Sequence, residues 1–231
     1  MSADGTPSRA AVDATRRAPA TLAEAWADDA ALDALNDWLE SLDAEARLTW
    51  ALANASGRAV LSTSFGAQSA AVLHLVTRQA PELPVVLVDT GYLFPETYRF
   101  ADELTHRLAL NLHVARADDS PGWFEARHGK LWERGLDGIE RYNQLRKVEP
   151  MQRALDGLGA TLWIAGLRRM QSGTREHRRV LERAGNRWKL HPVIDWTDRL
   201  RHRLISSPRS PASYRAAPRC RWRSSAHRRR P

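Results

Sequence analysis

Three short segments of this sequence carry residues suited to binding a phosphorylated ligand. The first is Ser62–Gly66 (Ser-Thr-Ser-Phe-Gly), which follows a short apolar run and precedes a helical stretch. Backbone N–H groups at the start of a helix attract anions, and the hydroxyls of Ser62 and Ser64 add donors. We predict an anion-binding turn that Phe65 and Gly66 complete, although a plain helix cap fits the same spacing equally well.

The second segment is Asp89-Thr90-Gly91, at the end of the continuous apolar run 84–88. Such a run is typical of a strand buried on both faces of a sheet. An acidic residue at the end of this strand can accept a hydrogen bond from a ribose hydroxyl or an adenine amino group. A helix cap is the commoner explanation for an isolated Asp in this position.

The third segment is Gly166–Arg175, directly after the predicted strand 161–165. Arginine offers a planar fork of donors that matches phosphate oxygens, so several arginines after one strand favour a ligand with more than one phosphate. A solvated basic loop is the competing interpretation. The candidate ligand-binding residues here are Arg168, Arg169, Gln171, Ser172 and Arg175.

The elements that must position these segments alternate between strands and helices. This alternation predicts an α/β fold with a mostly parallel sheet flanked by helices, preceded by a helical N-terminal lead-in over about 29–54. In such sheets, ligands bind beyond the carboxyl ends of the strands. The predicted strands are 59–61, 84–88, 110–114, 161–165 and 188–193.

Length and cysteine content limit the classes of protein. The chain has 231 residues and one cysteine, Cys220, so it can form neither an internal disulfide nor a four-thiolate zinc or iron–sulfur site. A reducing, cytoplasmic location fits this content. Residues 1–20 lack the apolar run of a signal peptide, and no later stretch is apolar enough to span a membrane. We expect a disordered terminus over 1–20 and one domain over 21–198.

Residues 199–231 differ in composition from the rest of the chain. They hold eleven of the 35 basic residues and none of the 27 acidic ones, so the rest has 24 basic against 27 acidic residues, a net charge of −3. The net charge of +8 for the whole chain therefore comes from this tail. With no sustained hydrophobic period, the tail is predicted to be disordered.

Taken together, the segments resemble the phosphoadenylyl-sulfate (PAPS) reductase family of sulfate assimilation. The resemblance implies a fold like that of the adenine-nucleotide α-hydrolases, with Ser62–Gly66 as a modified pyrophosphate loop. ATP pyrophosphatases of that fold carry an Asp where this chain has Gln68, which argues against metal-assisted ATP cleavage. The matching stretches are 62–66, 88–98 (VDTGYLFPETY), 138–151 (GIERYNQLRKVEPM), 166–175 (GLRRMQSGTR) and 193–196 (VIDW).

The resemblance also implies the substrate and the electron donor. Adenylyl-sulfate reductases of this family hold a four-iron cluster on cysteines just before the Arg-Lys of the third stretch, where this chain has Asn143-Gln144-Leu145. The resemblance therefore points to the cluster-free kind, which binds no cofactor and reduces a substrate with a 3′-phosphate. Arg168, Arg169 and Arg175 would then stabilise the departing nucleotide. Reduced thioredoxin or glutaredoxin is the implied partner, and a homodimer is possible.

The C-terminal part departs from the family pattern. The family nucleophile lies in a Glu-Cys-Gly-Leu-His signature that this chain lacks. Our hypothesis is that a frameshift near codon 199 replaced the family C-terminus with the Arg-rich tail. Cys220 lies between Arg219 and Arg221, whose charges favour a thiolate, but no other residue of the signature surrounds it. The catalytic nucleophile stays unassigned.

Two other functions fit parts of the sequence. An ATP pyrophosphatase-type adenylating enzyme would share the fold, and magnesium-dependent pyrophosphate release would identify it. A non-enzymatic nucleic-acid binder could use the basic tail, but only Tyr214 and Trp222 could stack on bases there, so we expect no specific nucleic-acid recognition. We rank the reductase above both alternatives.

Overall fold

The computed structural model describes residues 17–66 and 69–197. Gln68, Cys220 and the segment 199–231 lie outside the described residues, as do residues 1–16. The fold presented below lies in a compact unit that ends at Asp195.

The described chain starts with three helices whose first turns are capped by side chains. Thr21 forms a reciprocal capping box with Glu24, while Asp28 and Asp43 accept hydrogen bonds from the N–H groups of Ala31 and Ala46. These caps confirm the predicted helical lead-in and add a short helix before it. The three helices are α1 (Leu22–Ala27), α2 (Asp29–Ser41) and α3 (Ala44–Asn54).

A single mixed sheet forms the centre of the fold. Among the described residues it has six strands in the order β3-β2-β1-β4-β6-β5, and only β5 runs antiparallel to its neighbour. The predicted α/β fold with a mostly parallel sheet is therefore confirmed. The strands are β1 (Arg58–Thr63), β2 (Pro84–Asp89), β3 (Asn111–Arg116), β4 (Ala160–Ala165), β5 (Leu181–Ala184) and β6 (Arg187–Leu190).

The remaining helices connect and cover the strands. They are α4 (Ser69–Gln79), α5 (Pro95–Leu108), α6 (Pro121–His128), α7 (Gly135–Asn143) and α8 (Glu149–Gly157), with a π-helical segment, Gln144–Val148, between α7 and α8. On one face of the sheet, Val60 and Val86 are buried together with Leu155 of α8. Proline occupies the first turn of α5 and of α6, where its missing N–H costs no hydrogen bond.

Sequence patterns did not reveal α7 or β5. α7 begins Gly-Leu-Asp-Gly, and two glycines in one turn weaken the helical signal. β5 is only four residues long and carries two charged side chains. Gly185-Asn186, with Gly185 in the left-handed region, joins β5 to β6 as a two-residue hairpin loop, a signal that could have identified this strand.

Gly138 in α7 provides a stability test. A Cβ atom at this position would lie 2.1 Å from the backbone oxygen of Leu131 and 2.8 Å from Cβ of Arg134. We expect Gly138→Ala to lower the free energy of unfolding by about 2 kcal/mol, because the clash outweighs the better helix propensity of alanine. Urea unfolding measures this. A Cβ atom added at Gly157 in α8 would have no atom within 4 Å, so Gly157→Ala is the matched control. Equal stabilities of the two variants would contradict the prediction.

Candidate active site

The three segments singled out from the sequence lie at one edge of the sheet. They follow β1, β2 and β4, which are adjacent parallel strands, so their carboxyl ends point the same way. The chain proceeds from β1 outward to β2 and β3, then returns to the other side of β1 for β4. Strand order therefore reverses between β1 and β4, and a crevice at such a reversal is where open α/β sheets bind ligands.

The β1 loop, Ser62–Gly66, has an unusual backbone. Phe65 adopts a left-handed conformation with φ of 47° while its side chain is almost fully buried. Its N–H donates to Oγ1 of Thr63 at 3.2 Å, which stabilises the turn. Ser64 and Gly66 are exposed at the edge of the sheet. A non-glycine residue held in this conformation is a common feature of ligand-binding loops.

Asp89 is buried and accepts three hydrogen bonds from within the chain. Oδ1 accepts from the Tyr98 hydroxyl at 2.7 Å and from the Gly91 N–H at 2.8 Å, and Oδ2 accepts from Arg116 Nε at 2.9 Å. Burial by itself would raise the pKa of Asp89, but these three donors outweigh it and the pKa falls below its ordinary value. Asp89 is thus an ionised anchor for the turn, and its predicted contact with a ribose or adenine stays a prediction.

Arg146 fixes the turn after β2 and was not identified from the sequence. Arg146 is 2% exposed, and its guanidinium donates to the Thr90 carbonyl at 2.5 and 3.1 Å and to the Asp119 carbonyl at 2.6 Å. Its Cζ atom lies over the rings of Tyr92 and Phe124, 5.6 and 5.1 Å from their centroids. The π-helical segment that carries Arg146 therefore links the turns after β2 and β3.

An aromatic cluster surrounds this anchor. Tyr92 lies edge-on to Trp132 and Tyr142, with centroids 5.1 and 6.1 Å away. Its hydroxyl donates to Glu125 Oε1 at 3.0 Å. Burial and this carboxylate raise the pKa of Tyr92 to about 12, so the phenol stays protonated at neutral pH. The cluster therefore packs around Arg146 and the turn after β2.

The arginine loop, Gly166–Arg175, contains one buried arginine and two half-buried ones. Arg168 is 7% exposed, and its N–H donates to Gln171 Oε1 at 3.3 Å. Arg175 is half-buried and donates to the same oxygen, so Gln171 fixes two parts of the loop. Ser172 caps the short turn that ends the loop by accepting from the Thr174 N–H at 3.2 Å.

Arg169 has a different environment from the one expected for a phosphate ligand. Its guanidinium donates to both carboxylate oxygens of Glu40 on α2, at 2.6 and 3.3 Å, and to the Arg178 carbonyl at 2.9 Å. Its backbone N–H donates to the Ile194 carbonyl at 2.9 Å. In this structure Arg169 therefore joins the loop to α2, and its predicted phosphate contact, which would require this ion pair to open, stays a prediction.

Two further basic residues pair with the acidic side of α2. Arg179 donates to Asp37 at 2.7 Å, and Arg183 donates to Asp29 at 2.5 Å. The helix α2 therefore holds the arginine loop through Arg169, and it holds β5 and the residues before it through Arg183 and Arg179. These exposed pairs contribute little stability individually, so their effect is mainly to set position.

Comparison with known proteins connects this crevice to one enzyme family. The family model described as "Phosphoadenosine phosphosulfate reductase domain" matches residues 58–212, more than half of the chain. This chain belongs to the phosphoadenosine phosphosulfate reductase family. The match contains all three segments, together with Arg146 and the loop after β6.

Curated relatives in this reductase family are similar over most of the chain. A phosphoadenosine 5′-phosphosulfate reductase of Alkalilimnicola ehrlichii is 59% identical over 175 residues, which cover 76% of this chain and 71% of that protein. The reductase with the same name from Yersinia enterocolitica is 61% identical over 170 residues, 74% of this chain and 70% of that protein. The resemblance inferred from the sequence motifs is therefore confirmed.

Solved structures agree with this assignment. The phosphoadenylyl-sulfate reductase of Candida auris, in a phosphate complex, superposes with a TM-score of 0.66 at 25% identity, covering 80% of this chain and 88% of that one. A Candida glabrata FMN adenylyltransferase variant superposes with a TM-score of 0.50 at 14% identity, covering 85% of this chain and 61% of that one. The second similarity concerns the fold alone.

The described residues offer neither a cluster of metal-binding side chains nor a membrane-spanning helix. Within the ranges 17–66 and 69–197, no group of three His, Cys, Asp or Glu side chains could hold a metal ion. Over the same ranges, no helix combines the length and the apolar character that crossing a membrane requires.

Glu182 of β5 gives a pH-dependent prediction. Burial would raise its pKa, but the His191 ring 3.6 Å away, the Arg179 N–H and Arg178 outweigh this and lower the pKa to about 2. A carboxyl group whose pKa is lower in the folded protein stabilises the fold fully at pH values above its pKa in the unfolded chain, here 4.5. This stabilisation is lost as the pH falls through the pKa of the folded protein. The whole contribution is about 2–3 kcal/mol.

The measurement compares the wild type with Glu182→Gln by urea unfolding between pH 6 and pH 2. We expect the wild type to be more stable at pH 6 and the difference to shrink between about pH 5 and pH 2. The matched control is Glu176→Gln, because Glu176 is exposed and has no ion pair within 4 Å among the described residues. A constant difference between wild type and Glu182→Gln over this range would contradict the prediction.

Proposed function

We propose that this chain binds 3′-phosphoadenylyl sulfate in the crevice between β1 and β4 and belongs to an enzyme that reduces it to sulfite and adenosine 3′,5′-bisphosphate. The observation that carries the proposal is the convergence of the β1 loop, the turn after β2 and the arginine loop at one edge of the sheet, in a chain about 60% identical to named reductases. We further propose a cytoplasmic, cluster-free, thioredoxin- or glutaredoxin-dependent enzyme without specific affinity for nucleic acid.

The arrangement of side chains suggests how the nucleotide lies. The exposed Ser64 and Gly66 of the β1 loop precede α4, so a phosphate there would meet N–H groups and the positive end of the helix dipole. We propose that the adenine lies on the side of the aromatic cluster around Tyr92, which follows β2. Arg168 and Arg175 lie on the opposite side of the crevice, where their charges would stabilise the negative charge that the nucleotide gains as it leaves.

The chemical step in this proposal uses a cysteine thiolate. The thiolate sulfur attacks the sulfur of the sulfonyl group, and the bond between that sulfur and the 5′-phosphate oxygen breaks. Adenosine 3′,5′-bisphosphate departs with the electron pair, leaving an S-sulfonated cysteine. A donor thiolate then attacks the cysteine sulfur and releases sulfite, and the second donor thiol resolves the mixed disulfide. A chain with one cysteine cannot do the last step itself, so it needs a dithiol partner.

The test separates binding from turnover. We expect adenosine 3′,5′-bisphosphate to bind the full chain in isothermal titration calorimetry, and Arg175→Ala to weaken binding by about tenfold. Arg141→Ala, at an exposed position on α7, is the matched control. Absence of nucleotide binding would overturn the proposal, and magnesium-dependent release of pyrophosphate from ATP would favour the adenylating alternative instead.

We also propose that a frameshift near codon 199 replaced the family C-terminal segment with residues 199–231, since the Glu-Cys-Gly-Leu-His signature is absent, although the family model matches as far as residue 212. Sequencing the gene from about codon 190 to beyond codon 231 tests this directly. A second frame that encodes the signature supports the proposal, and its absence refutes it. A sulfite assay with reduced thioredoxin, run on the wild type and on Cys220→Ser, then shows whether Cys220 has any part in turnover.

A further inference from the structure

Three residues on adjacent strands form a chain of contacts that leads into the β1 loop. Trp163 of β4 is paired with Val60 of β1 and with Lys189 of β6 in the sheet register. Its indole Nε1–H donates to Ser62 Oγ at 2.7 Å, and the Lys189 amine lies 3.8 Å from the centroid of the Trp163 ring. Lys189 therefore contacts the ring of this indole and Ser62 contacts its N–H group.

The Trp163 contact fixes what the Ser62 hydroxyl can do. An indole N–H only donates, so the serine oxygen must be the acceptor in this hydrogen bond. The hydroxyl hydrogen of Ser62 then remains available to donate. Among the described residues Ser62 Oγ has no second hydrogen-bond partner, and the residue is half-buried at the carboxyl end of β1. A fixed donor in this position suits a negatively charged oxygen.

The Lys189 amine strengthens this arrangement. No carboxylate oxygen of the described residues lies within 4 Å of Lys189 Nζ, so the Trp163 ring is its principal contact. Burial lowers the pKa of Lys189; Glu182 opposes this decrease, and the charges of Arg178 and Arg175 add to it. A cation over the ring withdraws electron density from the indole and makes its N–H a stronger donor. The charge also adds to the positive potential of the arginine loop.

We propose that Trp163 and Lys189 are positioning residues that hold Ser62 as a hydrogen-bond donor to an anionic oxygen of the bound nucleotide. This inference rests on the proposed function, because the anion is a phosphate of adenosine 3′,5′-bisphosphate or of the substrate that contains it. Trp163 does not touch the ligand in this arrangement. Its effect on binding passes through the serine hydroxyl, so the two side chains act as one unit.

A double-mutant cycle measures the coupling. The variants are Ser62→Ala, Trp163→Phe and the double variant, each made in the full chain and titrated with adenosine 3′,5′-bisphosphate and with uncharged adenosine. Phenylalanine keeps an aromatic ring beneath Lys189 but removes the indole donor. We expect each single change to weaken binding of the bisphosphate by about tenfold, and the double variant to be no weaker than Ser62→Ala. Affinity for adenosine should stay the same.

Two controls separate this effect from simple destabilisation. Trp50→Phe, on α3 where Trp50 packs against Trp38, is the matched aromatic change and should leave both affinities unaltered. Lys189→Met should weaken bisphosphate binding by about threefold in the wild type and by less in Trp163→Phe, because part of its effect passes through the indole. Urea unfolding of each variant shows that the fold persists.

The outcomes separate this inference from the proposed function. If the wild type fails to bind the bisphosphate, the proposed function fails and this inference with it. If the wild type binds and the losses from Ser62→Ala and Trp163→Phe multiply, the residues act independently and only the inference is overturned. An equal loss for adenosine and for its bisphosphate would also overturn it, since the effect would then not concern an anion.

Discussion

We expect Arg146→Met to lower the free energy of unfolding by about 2–4 kcal/mol and to weaken binding of adenosine 3′,5′-bisphosphate by at least about tenfold. The guanidinium satisfies the carbonyls of Thr90 and Asp119, and methionine would leave both oxygens without these donors. Loss of a buried partner destabilises the fold by more than the hydrogen bond itself contributes, because the remaining polar group is then buried with neither a protein partner nor water. The turns after β2 and β3 would also lose their common anchor.

Two variants make this test specific. Arg141→Met changes the same residue type at an exposed position on α7 and should alter stability by less than about 0.5 kcal/mol. Arg146→Lys keeps the charge but presents a single ammonium that cannot span both carbonyls. We therefore expect its loss of unfolding free energy to lie between those of Arg146→Met and Arg141→Met. Urea unfolding and calorimetric titration are the measurements. An Arg146→Met protein with wild-type stability would show that the two carbonyls find other donors.

The largest expected effect on stability comes from Arg47→Met, which should lower the free energy of unfolding by about 3–5 kcal/mol. Arg47 is 1% exposed and donates to the Leu39, Glu40 and Pro192 carbonyls at 2.8, 3.1 and 3.0 Å. It also forms a bidentate ion pair with Asp195, both distances being 2.9 Å. Methionine matches only the aliphatic stem of arginine and removes every one of these donors.

The consequences of Arg47→Met should extend to the arginine loop. Arg47 holds the segment after β6, whose Ile194 carbonyl accepts a hydrogen bond from the Arg169 N–H.

The matched control is Arg78→Met, because Arg78 is 62% exposed and its ion pair with Glu45 is 4.0 Å long. Asp195→Asn should cost only about 1 kcal/mol, since Asp195 is 50% exposed. Equal urea midpoints for Arg47→Met and Arg78→Met would contradict the prediction.

Much of the fold and the family assignment could be predicted from local sequence. The apolar run 84–88 became a strand buried in the sheet, and the helical lead-in predicted over about 29–54 forms α2 and α3. The β1 loop, the turn after β2 and the arginine loop were found because each is a short, contiguous segment after a strand. Neighbouring parallel strands then bring their ends together without further information.

Sequence alone determined which segments form the crevice and which enzyme family the chain belongs to, whereas the partners of individual side chains were decided by the tertiary structure. Arg169 was a phosphate candidate from its loop, yet it pairs with Glu40, which lies 129 residues earlier. Arg146, Trp163 and Lys189 gave no local signal, since their roles depend on contacts with Thr90, Ser62 and each other across the sheet. Hydrophobic period and capping are local properties, but hydrogen bonds and ion pairs form between whichever groups folding brings within reach.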